Sequence, residues 1–180
     1  MDHPRIKNIT VFSDASFCQN TKAAGGAYWA RGEKSRASGA FSFEGARQAH
    51  DAEIITACMA IGHLARDPVI GLDLRKGPLT RLILVVDCLT IEHVLAAGGS
   101  CRLSPAARKA VKKTKLLIAA LKFHLKINHV KAHESKGTPR QWVNDWCDNT
   151  ARRSMRTLRR GIQVRNAAAR RNAALPEKTA

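Results

Sequence analysis

Acidic residues are scarce in this chain. Only 14 Asp and Glu stand against 31 Lys and Arg among 180 residues, a net charge of +17. Long apolar runs are missing too, which excludes a membrane-spanning helix. The opening "MDHPRIKN" lacks the apolar stretch of a secretory signal, so a cytoplasmic protein is expected. Paired cysteines are missing: Cys18, Cys58, Cys88, Cys101 and Cys147 are scattered, odd in number and form no CxxC. That argues against a disulfide framework or a zinc site and for free thiols. No internal repeat is present.

What is there is one domain's length of ordinary composition, with 44% hydrophobic and 25% charged residues. The excess charge is concentrated. Residues 102–126 hold eight Lys and Arg with no acid, and 151–180 hold nine against a single Glu177. These two segments carry nearly all of the imbalance. Each Lys or Arg brought to a phosphate releases a counterion, so a nucleic acid is the natural partner.

Along the chain, Ile9, Val11 and Phe12 predict a strand over 8–13, with Asp14 stopping the run. "AAGGAYWAR" (23–31) and "RASGAFSF" (36–43) predict two more strands around a polar turn. Gly25 and Gly26 mark a bulge or a close ligand approach. Residues 47–67 predict a helix on the spacing of Ile54, Cys58, Ile61 and Ala65. A Gly/Pro-containing loop covers 67–80. "RLILVVD" (81–87) predicts a central strand, and it too ends in an acid, Asp87. A short helix follows, closed by Gly98 and Gly99. A helix is predicted over 104–125, capped by Ser104 and Pro105, with Val111, Leu117, Ile118, Leu121 and Leu125 as its stripe. A short strand (126–131), a loop and a helix over 141–160 complete the order βββ-α-β-α-α-β-α. This is an α/β domain with a mixed sheet. Residues 161–180 are expected to fray. Trp142 and Trp146, one turn apart, are expected in the core rather than stacked on bases.

Two neighbouring strands that end in Asp place both carboxylates at one sheet edge if they run parallel. Glu53 starts the 47–67 helix, and Asp148 lies in the last helix beside inward-facing Cys147 and Ala151. Singly, each has a plain reading as turn former, dipole partner or surface residue. Together they would repel unless a cation neutralises them, and hard cations such as Mg²⁺ take such oxygen ligands. Two such ions can clamp an in-line phosphoryl displacement.

In this order and context the set resembles type 1 ribonuclease H. "ITVFSDASF" resembles that family's first strand, "GGAYWAR" its second and "DAEIITACMAIGHL" its Glu-bearing helix. "LILVVDCLTIEHVL" resembles its fourth strand and the next helix, and "INHVKAHESKGTPRQWVNDWCDNTAR" its last strand, His loop and final helix. The similarity spans roughly residues 8–155. It implies an RNase H-like fold: a five-stranded mixed sheet, antiparallel in strands 1–3 and parallel thereafter, flanked by helices. Residues 1–160 would be the catalytic domain and 161–180 a basic, flexible tail that binds nucleic acid nonspecifically. It implies a monomer that cuts the RNA strand of an RNA–DNA hybrid, leaving a 3′-hydroxyl and a 5′-phosphate. Asp14, Glu53, Asp87 and Asp148 would hold two Mg²⁺ ions, with Mn²⁺ as the alternative. His133 would help proton transfer or product release. Asn144, one turn before Asp148, shares its face and favours Asp148 over Asp145 as the ligand.

Ser16, Cys18, Gln19 and Asn20, close after Asp14, are candidates for contacting 2′-hydroxyls. Lys109, Lys112 and Lys113 lie near where some members carry a basic protrusion that grips the hybrid. The chain departs from the family at His50 and Asp51, where many members have Asn, and in a longer stretch from His133 to Asp148. Two rival readings are a Holliday-junction resolvase-like nuclease, which "DWCD" (145–148) would suit, and a non-catalytic hybrid- or duplex-binding protein. The "DAS" of the first strand argues against a proofreading exonuclease.

Overall fold

The computed structural model describes residues 5–95, 102–130 and 138–173. His133, Cys101, Gly98 and Gly99 lie outside the described residues. Five strands form one sheet: β1 (Lys7–Phe17), β2 (Ala24–Arg31), β3 (Arg36–Phe43), β4 (Thr80–Val86) and β5 (His124–His129). Their order is β3-β2-β1-β4-β5, antiparallel among the first three and parallel from β1 to β4 and β5. The helices are α1 (Ala49–Arg66), α2 (Ile70–Leu74), α3 (Leu89–Leu95), α4 (Pro105–Leu121) and α5 (Pro139–Ala173). No helix among the described residues is long and apolar enough to cross a membrane.

Period-2 alternation divides the sheet's side chains between two layers. Val11 and Leu84 point into the larger core, with Ile54, Ile61 and Leu64 of α1 and Val111 of α4. Their neighbours Phe12 and Val85 point the other way, against Val143, Cys147 and Ala151 of α5. Buried Asp51 pins the first layer together: its Oδ1 accepts from the Ser104 N–H and its Oδ2 from the Arg47 N–H, each at 3.0 Å. Ser104 in turn accepts from the Ala107 N–H at 3.2 Å, as an N-cap should.

Four expectations are corrected. β1 does not stop at Asp14; it runs on to Phe17, because antiparallel pairing with β2 continues to Phe17↔Ala24 after the parallel pairing with β4 ends at Phe12↔Val85. The 67–80 loop contains α2 and a short 3-10 turn (Gly77–Leu79). Asp67 accepts from the N–H groups of Val69 and Ile70 at 2.9 and 2.8 Å, and Ile70 and Leu74 are fully buried. Helix α4 ends at Leu121, closed by a left-handed Lys122 (φ 56°), so Leu125 belongs to β5. The last helix continues to Ala173, so residues 161–173, expected to fray, are helical. Ile162 is the reason: it buries against Ala23 and Met155, with Cys18 and Leu158 around them, and Arg165 pairs with Glu44 at 2.7 Å.

Gly25 and Gly26 mark neither a bulge nor a ligand approach. Pairing of β2 is unbroken on both sides. A Cβ on Gly25 would collide with the α5 backbone at Ala151 and Met155, and one on Gly26 with the side chains of Phe41 and Thr56. The two glycines let a helix lie close on each face of the same strand. Gly25→Ala should therefore destabilise the fold by about 3 kcal/mol, since backbone cannot yield as a side chain can. Gly161→Ala, where a Cβ meets nothing within 4 Å inside a helix, should stabilise by about 0.5–1 kcal/mol. Urea denaturation of the two variants checks both signs.

Candidate active site

Strand register sets the first two acids. Phe12 of β1 lies beside Val85 of β4, so Asp14 and Asp87, each two residues further on, come level at the carboxyl edge of the sheet. Glu53 is the fifth residue of α1, on the layer that packs under that edge. Asp148 comes from the opposite layer, beside the buried Cys147 and Ala151 of α5. All four line one cavity of about 270 Å³, together with Asn144, Asp145, Gln141 and Arg152.

Crowding shows in the acids' protonation. Burial, then the charges of Asp87 and Asp148, push Asp14 up to about 7, against partial relief from the Ala15 N–H and Arg152. Glu53 is pushed well above the carboxylate range by burial first, then by Asp14, Asp87 and Asp148. Arg152 Nε pairs with Asp148 Oδ1 at 2.8 Å. The His129 Nε2 lies 2.8 Å from the Asp87 carbonyl oxygen, which ties the end of β5 to the cavity rim. As they stand, no three His, Cys, Asp or Glu side chains among the described residues form a group that could hold an ion. The donor set nonetheless suits a hard divalent cation: four carboxylates, two of which, Asp14 and Glu53, are raised first by burial and then by their acidic neighbours.

The remaining expected site residues fall elsewhere. Ser16 shares the Asp14 face of β1 and pairs with Gly25. Cys18 closes the β1–β2 hairpin through its N–H to the Ala23 carbonyl at 2.9 Å. Contacts from Thr21 lower its thiol to about 7. Gln19 and Asn20 are exposed in that hairpin, and none of these four lines the acidic cavity. Lys109, Lys112 and Lys113 are exposed on α4, in the layer opposite α5, and do not line it either. Arg152 went unnoticed in the sequence, although its place four residues after Asp148 on a helix is the signature of an ion pair. Trp142, expected in the core, is 60% exposed, while Trp146 packs partly against the α5 layer.

An acidic cavity at the carboxyl edge of an α/β sheet, in a chain of strong positive charge, stands where such folds gather their ligand sites. A family model described as RNase H matches residues 6–156. The chain belongs to the RNase H family. No curated protein matches the sequence. Among solved structures, the N-terminal RNase H domain of a Mycobacterium tuberculosis protein, solved as a fusion with maltose-binding protein, has a TM-score of 0.61 at 12% identity, covering 86% of this chain and 98% of that one. RNase H1 from the halophilic archaeon Halobacterium salinarum has a TM-score of 0.60 at 16% identity, covering 83% and 98%. LC11-RNase H1 in complex with an RNA/DNA hybrid has a TM-score of 0.58 at 13% identity, covering 83% and 98%. At these identities the likeness is one of fold.

Proton linkage gives the site a stability signature. Asp14 titrates near 7 in the fold against 3.8 ordinarily. Between those values the folded state holds a proton that the unfolded state has released, so the metal-free fold loses stability as pH rises through that window. Asp14→Asn removes this cost. In EDTA the variant should match the parent near the low end of the window and exceed it by roughly 1–3 kcal/mol above the high end. Urea denaturation across pH checks this; a variant weaker at high pH would mean that Arg152 already compensates the ionised Asp14.

Proposed function

We propose that this chain hydrolyses the RNA strand of RNA–DNA hybrids with two divalent cations, Mg²⁺ or Mn²⁺, held by Asp14, Glu53, Asp87 and Asp148, leaving a 3′-hydroxyl and a 5′-phosphate. The observation that carries it is the meeting of four carboxylates, from β1, α1, the end of β4 and α5, around one cavity of an otherwise basic chain. A protein that only bound polyanions would gain nothing from four acids at its binding face. The fold shared with a protein solved on an RNA/DNA hybrid adds support.

Bound cations supply an activated water and neutralise the leaving oxygen. The rest falls to the chain. The acids position the cations, and Arg152 holds Asp148 in place until they bind. Asn144 lines the same cavity and contacts the substrate there. His133 takes up or delivers the proton as product leaves. Ser16, Cys18, Gln19 and Asn20 test for 2′-hydroxyls along the strand that continues from Asp14, while Lys109, Lys112 and Lys113 hold phosphates from the other layer. The catalytic domain spans 1–160, in keeping with a family match that ends at 156. Residues 161–180 anchor the substrate without sequence preference. The protein works as a monomer in the cytoplasm, where its free thiols stay reduced.

One assay tests the central claim: labelled hybrid, double-stranded RNA, double-stranded DNA and a four-way junction, each with Mg²⁺, Mn²⁺ or EDTA. Metal-dependent cutting of the hybrid's RNA strand alone is expected. Asp14→Asn should abolish it while hybrid binding holds or improves. Cutting of the junction alone would instead identify a resolvase, for which Asp145 and Asp148, both on the cavity, would be the paired acids.

The anchor is tested by truncation after Arg165, which spares Ile162 and the Glu44 contact. Hybrid affinity should fall and its log–log dependence on salt flatten by about 2, near 0.9 per lost phosphate contact. An unchanged slope removes the anchor from the scheme.

A further inference from the structure

The outer face of α5 carries a surface that hybrid cleavage leaves unused. Residues three and four apart on a helix share a face, and Trp142, Trp146, Asn149, Arg153, Arg156 and Arg160 follow that spacing. Trp142 is 60% exposed, unusual for so large an apolar ring. With Trp146, Asn149 and Arg153 it lines an open groove of about 440 Å³. Asp145 belongs to both this groove and the acidic cavity, so the two adjoin. Arg153 and, beyond the groove, Arg156 and Arg160 are exposed, and none pairs with an acid among the described residues. Their neighbours Arg152 and Arg165 are already engaged with Asp148 and Glu44. No acid occurs on α5 after Asp148. From Trp142 to Arg160 the face runs about 27 Å at 1.5 Å per residue.

We infer that this face is a track for single-stranded nucleic acid, with Trp142 as the stacking platform and Arg153, Arg156 and Arg160 on the phosphates. It takes the unpaired continuation of a strand whose duplex part sits at the acidic cavity. Exposed rings followed by a cationic run suit a single strand, because every unpaired base offers a π-face that a duplex hides. A protein partner would need acids to meet three free guanidiniums and would find only two rings to bury. Asp145 repels phosphate at the mouth of the groove, so a base, and not the backbone, enters beside Trp142. The placement beside the cavity rests on the hybrid-nuclease reading, whereas single-strand binding by this face does not.

Two measurements test it. Titrating oligo-dT into the protein in EDTA should quench tryptophan fluorescence, and Trp142→Ala should remove most of the change while Trp29 and Trp146 still emit. A hybrid with a dT extension of about ten nucleotides should bind roughly tenfold tighter than the blunt hybrid, the gain expected from stacking one or two bases. Trp142→Ala should erase that gain and leave blunt-hybrid binding and cleavage unchanged. Replacing Arg153, Arg156 and Arg160 together by Ala should flatten the salt dependence of oligo-dT binding by about 2, at 0.7 per contact. A gain that survives Trp142→Ala, or no gain from the extension, overturns the inference. Quenching without hybrid cleavage would sink the nuclease reading and leave the track standing; normal cleavage without quenching would do the reverse.

Discussion

How closely two helices can lie on strand β2 decides where the acids of the cavity stand. Gly25 turns its bare Cα toward α5, one face of which carries Asp148, and Gly26 turns toward Thr56, less than one turn from Glu53. Side chains at these positions would push both helices off the sheet. Asp14 and Asp87 would stay level, because strand pairing sets them independently. The other two acids would recede from them. A cavity of this size admits little such error, since oxygen ligands to a small hard cation must lie within a few tenths of an ångström of their places. The stability cost of two glycines in a strand is thus exchanged for thinness.

The charge balance follows the same division. Positive charge is concentrated in residues 102–126 and 151–180, yet at this one edge the chain gathers acids until Asp14 and Glu53 resist ionisation. Among the described residues Arg152 is the one basic side chain on the cavity wall, and it leans on Asp148, at the cavity's half-exposed side. On the proposed function, the positive field of those two segments would draw in a polyanion, and the buried negative charge its counter-cations. Neither alone would bring phosphate and metal to the same place.

Much of this was legible from residue patterns. β2 and β3 begin and end within a residue of expectation, because alternation and the polar turn between them are local signals. Four of the five acids on the cavity could be named as a set, Asp14 and Asp87 at the ends of apolar strands, Glu53 just before a helical stripe and Asp148 beside inward-facing Cys147 and Ala151, with the family resemblance favouring Asp148 over Asp145. What escaped notice depended on partners distant in sequence. β1 outruns its apolar stretch because β2 keeps pairing with it. α5 outruns its pattern because a lone Ile162 finds Ala23 across the fold. The end of α4 was misplaced although Phe123, Leu125 and Ile127 alternate with polar residues, a period-2 signal overshadowed by the strong helix before it. Trp142 looked like core for its size alone. The glycines of β2 could not be assigned, because nothing in a strand's sequence says which helices will cross it.

One feature of α5 reaches beyond contacts and charges. Its 35 residues form a single uninterrupted helix, about 52 Å long. Asp148 sits near one end, and the clamp formed by Ile162 and the Arg165–Glu44 pair holds the middle. A helix transmits torque along its axis, so a load on the projecting arm beyond the clamp is felt as rotation about that fulcrum. Asp148 lies about 25 Å before Arg165 along the axis, and the arm beyond the clamp runs only about 12 Å. The projecting arm is therefore the short side of the lever, and Cys147 and Ala151, buried against the sheet on either side of Asp148, hold the long side in its seat.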